Sequence, residues 1–174
     1  MNDIKNLLED VKNGSVSVDD ALIEIKKQPF VDIGYSKVDL HRNVRQGAPE
    51  VIYGAGKTTE QIKGILDTMT GNGIKTIIIT RLDKEKCDDI STNIDIKYFE
   101  EARMGIVGEI PEKSGIGKIV VATGGTSDIP VAEEAAVTCE AYGNIVVRLY
   151  DVGVAGLHRL LSNLDPIMGA SVII

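Results

Sequence analysis

At 174 residues the chain has room for one ordinary domain, or one small domain with an appendage. A formal charge of −7 argues against nonspecific nucleic-acid binding, which needs clustered Lys and Arg. No apolar run nears the roughly 20 residues of a membrane span, and Met1–Lys5 lacks a signal-peptide hydrophobic stretch. The expected location is the cytoplasm, with neither membrane nor nucleic acid as partner.

Hydrophobic residues make up 43% of the chain, with five Tyr, two Phe and no Trp, so the expected core is aliphatic. The first elements are two short helices. Residues 3–12 put Ile4, Leu7, Leu8 and Val11 on one face, and Gly14 ends the run. Ser17-Val18-Asp19-Asp20 supplies an N-cap and early acids for a second helix, with Ala21, Leu22, Ile23 and Ile25 as its apolar residues and Pro29 as its stop. Together they read as a docking hairpin.

From 30 to about 116 strands alternate with helices. Val51-Ile52-Tyr53 is a short strand closed by Gly54-Ala55-Gly56. Thr58 or Thr59 then caps a helix carrying Ile62, Ile65, Leu66 and Met69, and Gly71-Asn72-Gly73 ends it. Lys75 to Ile79 reads as a buried strand, Leu82 to Ile90 as a helix, and Ile94 to Tyr98 as a half-buried strand. This gives a small N-terminal α/β domain over 1–116. Polar, Gly- and Pro-rich Glu109 to Gly117 marks the boundary.

The second domain begins at 117. A β-branched strand over 118–122 feeds a Gly-Gly turn, a helix from about Asp128 to Tyr142 follows, and Gly143 caps it. Ile145 to Leu149 is a second buried strand. Asp151 to Gly156 is a loop, Leu157 to Leu161 a helix, and Ala170 to Ile174 the start of a third strand. This β-α-β-α-β order predicts a parallel sheet with right-handed crossovers. An apolar strand ending at Ile174 without a covering helix reads as a domain cut short, so a C-terminal truncation is expected.

The chemistry-bearing stretch is Ile119-Val120-Val121-Ala122-Thr123-Gly124-Gly125-Thr126-Ser127-Asp128. Unpaired N–H groups at a helix N-terminus and the positive end of its dipole attract phosphate. Gly124 and Gly125 permit positive φ and close backbone approach. Thr126 and Ser127 add hydroxyl donors, and Asp128 either accepts from a ribose hydroxyl or caps the helix. The bland alternative is a capped strand–helix turn. In an open α/β sheet the loop lies at the carboxyl ends of the strands, where ligands bind. Asp151-Val152-Gly153-Val154-Ala155-Gly156 is the second such loop and should lie beside the first. His158 or Arg159 either reaches the phosphate or stays on the helix surface.

Other features carry less. Gly54-Ala55-Gly56-Lys57-Thr58 resembles the tail of a phosphate loop but lacks its first Gly and spacing, so it reads as a turn before a capped helix. Asp39-Leu40-His41-Arg42-Asn43-Val44-Arg45 offers two Arg to a carboxylate or phosphate, or is simply a solvated charged face. Cys87 and Cys139 show no metal-ligand spacing. Cys139 is expected buried, and Cys87 partly exposed.

The strings Val121 to Ala135 and Arg148 to Arg159 together resemble the LarB family, which builds the nickel-pincer nucleotide cofactor. The front half agrees in Asp39-Leu40-His41-Arg42, Pro49 to Gly54 and Gly56-Lys57-Thr58. The resemblance implies a flavodoxin-like, three-layer αβα domain similar to the aminoimidazole ribonucleotide carboxylases. It implies carboxylation of the pyridinium ring of nicotinic acid adenine dinucleotide at C5, from CO2 or bicarbonate. Hydrolysis of the phosphoanhydride with Mg2+ then releases AMP and pyridinium-3,5-biscarboxylic acid mononucleotide. Gly124, Gly125, Thr126, Ser127, Asp128, Asp151 and Gly153 are the implied substrate contacts, with Ser127 on the phosphate and Asp128 on the ribose. A homo-oligomer is implied as well.

The chain departs from that pattern in two places. Gly153-Val154-Ala155-Gly156 replaces the carboxylases' Ala-His-Arg loop. The family's nucleophilic Cys, whose thiolate would dearomatise the ring, matches neither Cys87 nor Cys139 and is expected beyond Ile174. The chain alone is therefore expected not to complete catalysis. The alternatives are an aminoimidazole ribonucleotide carboxylase or mutase, and a non-catalytic nucleotide-binding module.

Overall fold

The structure is a computed structural model that describes residues 4–27, 30–40, 42, 47–48 and 50–174. Two compact units form: Met1–Glu50 with Lys63–Ile74, and Val51–Ile62 with Lys75–Ile174.

In the first unit, α1 (Ile4–Lys12) and α2 (Val18–Lys27) form the expected helical pair. Ser17 caps α2 by accepting from the Asp20 N–H at 3.0 Å and donating its hydroxyl to the Asp20 carboxylate at 2.6 Å. A hairpin of β1 (Phe30–Asp32) and β2 (Lys37–Asp39) follows, turned at Gly34, whose φ of +88° suits glycine alone. Pro29, expected to stop α2, lies outside the described residues. α3 (Thr59–Gly71) gives its first residues to the second unit and the remainder to the first. Thr58 caps it in a reciprocal pair with Gln61, and Gly73 leaves it at φ +80°.

The second unit holds two sheets. The first has the order β3 (Val51–Tyr53), β4 (Thr76–Thr80), β6 (Met104–Gly108), β5 (Ile96–Phe99). β3 and β4 are parallel, and β4–β6 and β6–β5 antiparallel. α4 (Lys84–Ser91) sits between β4 and β5 in the chain. The second sheet has the order β8 (Ile145–Leu149), β7 (Lys118–Ala122), β9 (Val172–Ile173), all parallel as expected. The chain passes from one sheet to the other through the Glu109–Gly117 segment.

α5 (Ile129–Ala141) packs on both sheets. Val137 and Ala141 meet Ile78, Met104 and Ile106 of the first, while Ala132 and Ala136 meet Val121 of the second. Alanines on the inward stripes let the helix approach the strands closely, and burial of the aliphatic neighbours drives the packing. Gly143 ends α5 at φ +78°, as the sequence indicates. Two further short helices, α6 (Leu157–Leu161) and α7 (Leu164–Met168), lead into β9. No helix among the described residues is long and apolar enough to cross a membrane.

Candidate functional site

The order β8-β7-β9 places the first strand of the parallel sheet in its centre. The chain leaves β7 for β8 on one side and returns to β9 on the other. The carboxyl ends of β7 and β9 thus flank a topological switch point, where open α/β sheets bind ligands. A cleft of about 390 Å³ opens there. Val121, Ala122 and Thr123 line it from β7, Ser127, Asp128, Val131, Ala132 and Ala135 from the start of α5, and Ile174 from the β9 side. Ile174 is held by backbone bonds to Val120 and Ala122, each 2.8 Å.

The lining is chiefly aliphatic, with Thr123, Ser127 and Asp128 as its polar residues. Thr126–Asp128 make a single 3₁₀ turn that runs straight into α5. The Asp128 carboxylate accepts the Gly125 N–H at 3.2 Å, and the Asp128 N–H returns to the Gly125 carbonyl at 3.3 Å. Asp128 therefore holds the loop shut on itself. Ser127 is exposed, and its hydroxyl makes no hydrogen bond among the described residues.

The glycines of this loop act differently from the expectation. Neither Gly124 nor Gly125 has a positive φ. A methyl group at either would meet nothing nearer than the Asp128 carboxylate at 3.9 Å. They keep space open beside the helix start; they do not permit a left-handed turn. The left-handed residue of the site is Asp151, at φ +59°, a conformation that Asp tolerates better than most residues.

The two carboxyl-end loops do lie side by side. A Cβ at Gly153 would collide with the carbonyl of Gly124. Thr123 receives the N–H groups of Asp151 and Val152, at 3.1 and 2.9 Å. Arg159, on α6, folds back over Gly156 and pairs with the Asp151 carboxylate. Of the expected contacts, Ser127 and Asp128 line the cleft. Gly124, Gly125, Thr126, Asp151 and Gly153 form the adjoining loops.

The remaining candidates fall elsewhere. Of the Asp39–Arg45 cluster, His41, Asn43, Val44 and Arg45 lie outside the described residues. The Asp39 N–H donates to Glu50 at 2.5 Å. The Gly54–Thr58 turn behaves as a turn before a capped helix, with Gly56 at φ +76°. Cys87 is fully buried, not partly exposed as its polar neighbours suggest, because it shares the inward face of α4 with Ile90. Burial pushes its thiol up, and burial followed by the Glu140 charge does the same to Cys139. Neither sulfur lines the cleft.

Thr123 stands in the chemistry-bearing stretch with no role expected of it, though a polar residue closing a β-branched run at a strand end marks it. The sequence reading passed over the Glu133–Arg148–Glu140 group. Glu133 and Glu140 stand two turns apart on α5, and Arg148 of β8 reaches both, at 2.9 and 2.7 Å.

Residues 30–109 match the model of the LarB/PurE-like N-terminal domain. Over that stretch the chain is similar to the LarB/PurE-like N-terminal domain. The matched segment runs from β1 through β6. An uncharacterized protein of Methanocaldococcus jannaschii is 40% identical over 166 residues, which covers 90% of this chain and 64% of that protein. The chain thus spans under two thirds of the length of this curated relative. The 90% coverage reaches past the 30–109 segment into the part that carries the cleft.

Proposed function

We propose that the cleft between the carboxyl ends of β7 and β9 binds nicotinic acid adenine dinucleotide as a LarB-type carboxylating enzyme would. A carboxylate replaces the ring hydrogen at C5 of the pyridinium: with CO2 as donor the hydrogen leaves as a proton, and with bicarbonate it leaves in water. Hydrolysis of the phosphoanhydride yields AMP and pyridinium-3,5-biscarboxylic acid mononucleotide. The observation that carries this reading is the cleft's mixed lining. An exposed Ser127 and the start of α5 line the cleft together with the aliphatic Val121, Val131, Ala132 and Ala135. A phosphate suits the first and a planar ring the second. Ser127 would donate to the mononucleotide phosphate, and Asp128 would face the ribose.

Among the described residues no group of three or more His, Cys, Asp or Glu is placed to hold a metal by itself. Mg2+ ordinarily binds one or two carboxylates together with substrate phosphates. Asp128 is the carboxylate lining the cleft and fits that mode. When bound, Mg2+ would neutralise charge on the phosphoanhydride.

One observation favours a second reading, a nucleotide-binding module without turnover. Both thiols of the described residues stand away from the cleft's lining, and both are pushed towards the neutral form. Titrating the protein with the dinucleotide and Mg2+, beside a Ser127→Ala, Asp128→Ala variant, tests the site. Saturable binding lost in the variant supports it, and equal binding by both removes the nucleotide from this cleft. Chromatography of the same mixtures with bicarbonate separates the readings, since a released AMP peak excludes the binding-only module.

A further inference from the structure

The backbone at the end of β8 departs from the parallel ladder at one residue. β7 and β8 pair in register up to Ala122 with Leu149. An unbroken ladder would continue with Thr123 opposite Tyr150. The Thr123 N–H would then bond the Leu149 carbonyl, and the Asp151 N–H would bond the Thr123 carbonyl. The first bond is present, at 3.0 Å. The second is not. The Thr123 carbonyl is taken by Val152, one residue too late, at 2.9 Å. The displaced Asp151 N–H instead reaches the Thr123 side-chain hydroxyl oxygen at 3.1 Å. Asp151, the extra residue, sits at φ +59°.

This is a β-bulge in a parallel pair whose orphaned donor is caught by a side chain. Bulges gather beside active sites because they re-aim a side chain. This one turns the chain so that Gly153 lands on the Gly124 carbonyl and the Asp151 carboxylate meets the Arg159 guanidinium. Thr123 is buried and lines the cleft. A hydroxyl at position 123 is the group this arrangement needs. Valine has the same shape but cannot accept, which would leave the Asp151 N–H without its partner.

We infer that Thr123 is a positioning residue: its hydroxyl holds the Asp151 bulge and thereby sets the second carboxyl-end loop against the Gly124–Asp128 loop. The bulge itself stands on geometry. Its effect on ligand rests on the nucleotide site proposed above.

The experiment uses the whole chain as wild type, Thr123→Val and Thr123→Ser, with Thr123→Ala held in reserve should the valine variant fail to fold. Amide exchange at Asp151 is followed by NMR. Loss of one hydrogen bond predicts about tenfold faster exchange in T123V, with T123S close to wild type because it keeps the hydroxyl. Wild-type protection of Asp151 in T123V overturns the inference. The same proteins are then titrated with nicotinic acid adenine dinucleotide and Mg2+. Weakened binding in T123V that T123S recovers, with both variants shown by urea denaturation to be fully folded at the titration temperature, supports positioning, because a merely structural role would leave the affinity of the folded protein unchanged. Wild-type affinity in T123V despite a deprotected Asp151 amide overturns positioning. Absence of binding by the wild type overturns the nucleotide site, and the exchange data then decide the bulge independently.

Discussion

The Tyr150 hydroxyl donates to the Glu133 carboxylate at 2.7 Å, tying the residue just before the bulge to the first turns of α5. Arg148, two residues earlier, donates to the same carboxylate and to Glu140 through its Nε and both terminal nitrogens, at 2.7 to 3.2 Å. One strand end is thus stitched to both halves of the helix that begins at the cleft. The pairing is charge-assisted and bidentate, the stronger class of hydrogen bond. Burial and the Glu133 hydrogen bond push the Tyr150 phenol up, and Arg148 is held protonated by Glu140 and Glu133.

Removing the phenol oxygen should be milder than removing the guanidinium. Tyr150→Phe is expected to lower stability by about 1 kcal/mol, the usual net worth of one hydrogen bond. Arg148→Met strips two part-buried carboxylates of their partner and should cost about 2 kcal/mol or more. Urea denaturation followed by circular dichroism measures both. Equal losses in the two variants would show that Arg148 adds nothing beyond the Tyr150 contact.

The same pair predicts a pH dependence with a definite sign. The hydrogen bond from Arg148 holds the Glu140 carboxyl below its ordinary value, outweighing the opposing effect of burial. The folded protein therefore binds this proton less readily than the unfolded chain. The stabilisation is present above the unfolded glutamate value of about 4.3 and is lost as pH falls through the folded one. Thermal unfolding between about pH 6 and pH 3 should show a fall in Tm for the wild type that is smaller in Glu140→Gln. A wild-type profile that matches the variant's throughout would rule the pair out as an acid-sensitive contact.

Much of this fold is readable from local patterns. Ile77-Ile78-Ile79 can be little other than a buried strand, Thr58 and Ser17 announce helix starts, and Gly143 sits at the required left-handed exit. β6 hides because Gly105 and Gly108 interrupt its apolar run. The reason for Gly105 is tertiary: a Cβ there would strike Ile96 and Leu82. α7 hides because Pro166 stands inside it. The loop that carries Ser127 and Asp128 is legible, since a β-branched strand, two glycines and a capped helix occur in order. The Thr123–Asp151 bulge is not, because a ladder slip depends on two strands meeting 28 residues apart. The Glu133–Glu140 spacing is visible in the sequence, but its Arg partner lies on another element.

The thiols give a test of burial against polar sequence context. Cys87 is 3% exposed and Cys139 half-buried, and both are raised above the ordinary thiol value, chiefly by burial. The thiolate is the reactive form. In the native protein at neutral pH, Ellman's reagent should label Cys87 far more slowly than a free thiol, with Cys139 intermediate. Both should react at once in denaturant. Rapid native labelling of Cys87 would contradict its place on the inward face of α4.

The glycines of the two loops should separate stability from binding. At Gly153 a methyl group runs into the Gly124 carbonyl. A backbone carbonyl cannot turn aside as a flexible side chain can, so Gly153→Ala should cost about 1–3 kcal/mol, the usual price of overpacking. At Gly125 the backbone is extended, with φ −145° and ψ 172°, and a methyl group meets nothing nearer than 3.9 Å. Gly125→Ala should therefore change stability by less than about 0.5 kcal/mol. Its methyl group would nevertheless occupy the space beside the start of α5 that the proposed phosphate needs. The expected pattern is a destabilised G153A and a stable G125A that has lost affinity for the dinucleotide. Denaturation and calorimetric titration on the same preparations measure the two effects. A G125A protein that binds as well as the wild type would move the phosphate away from this loop, whatever G153A does to the fold.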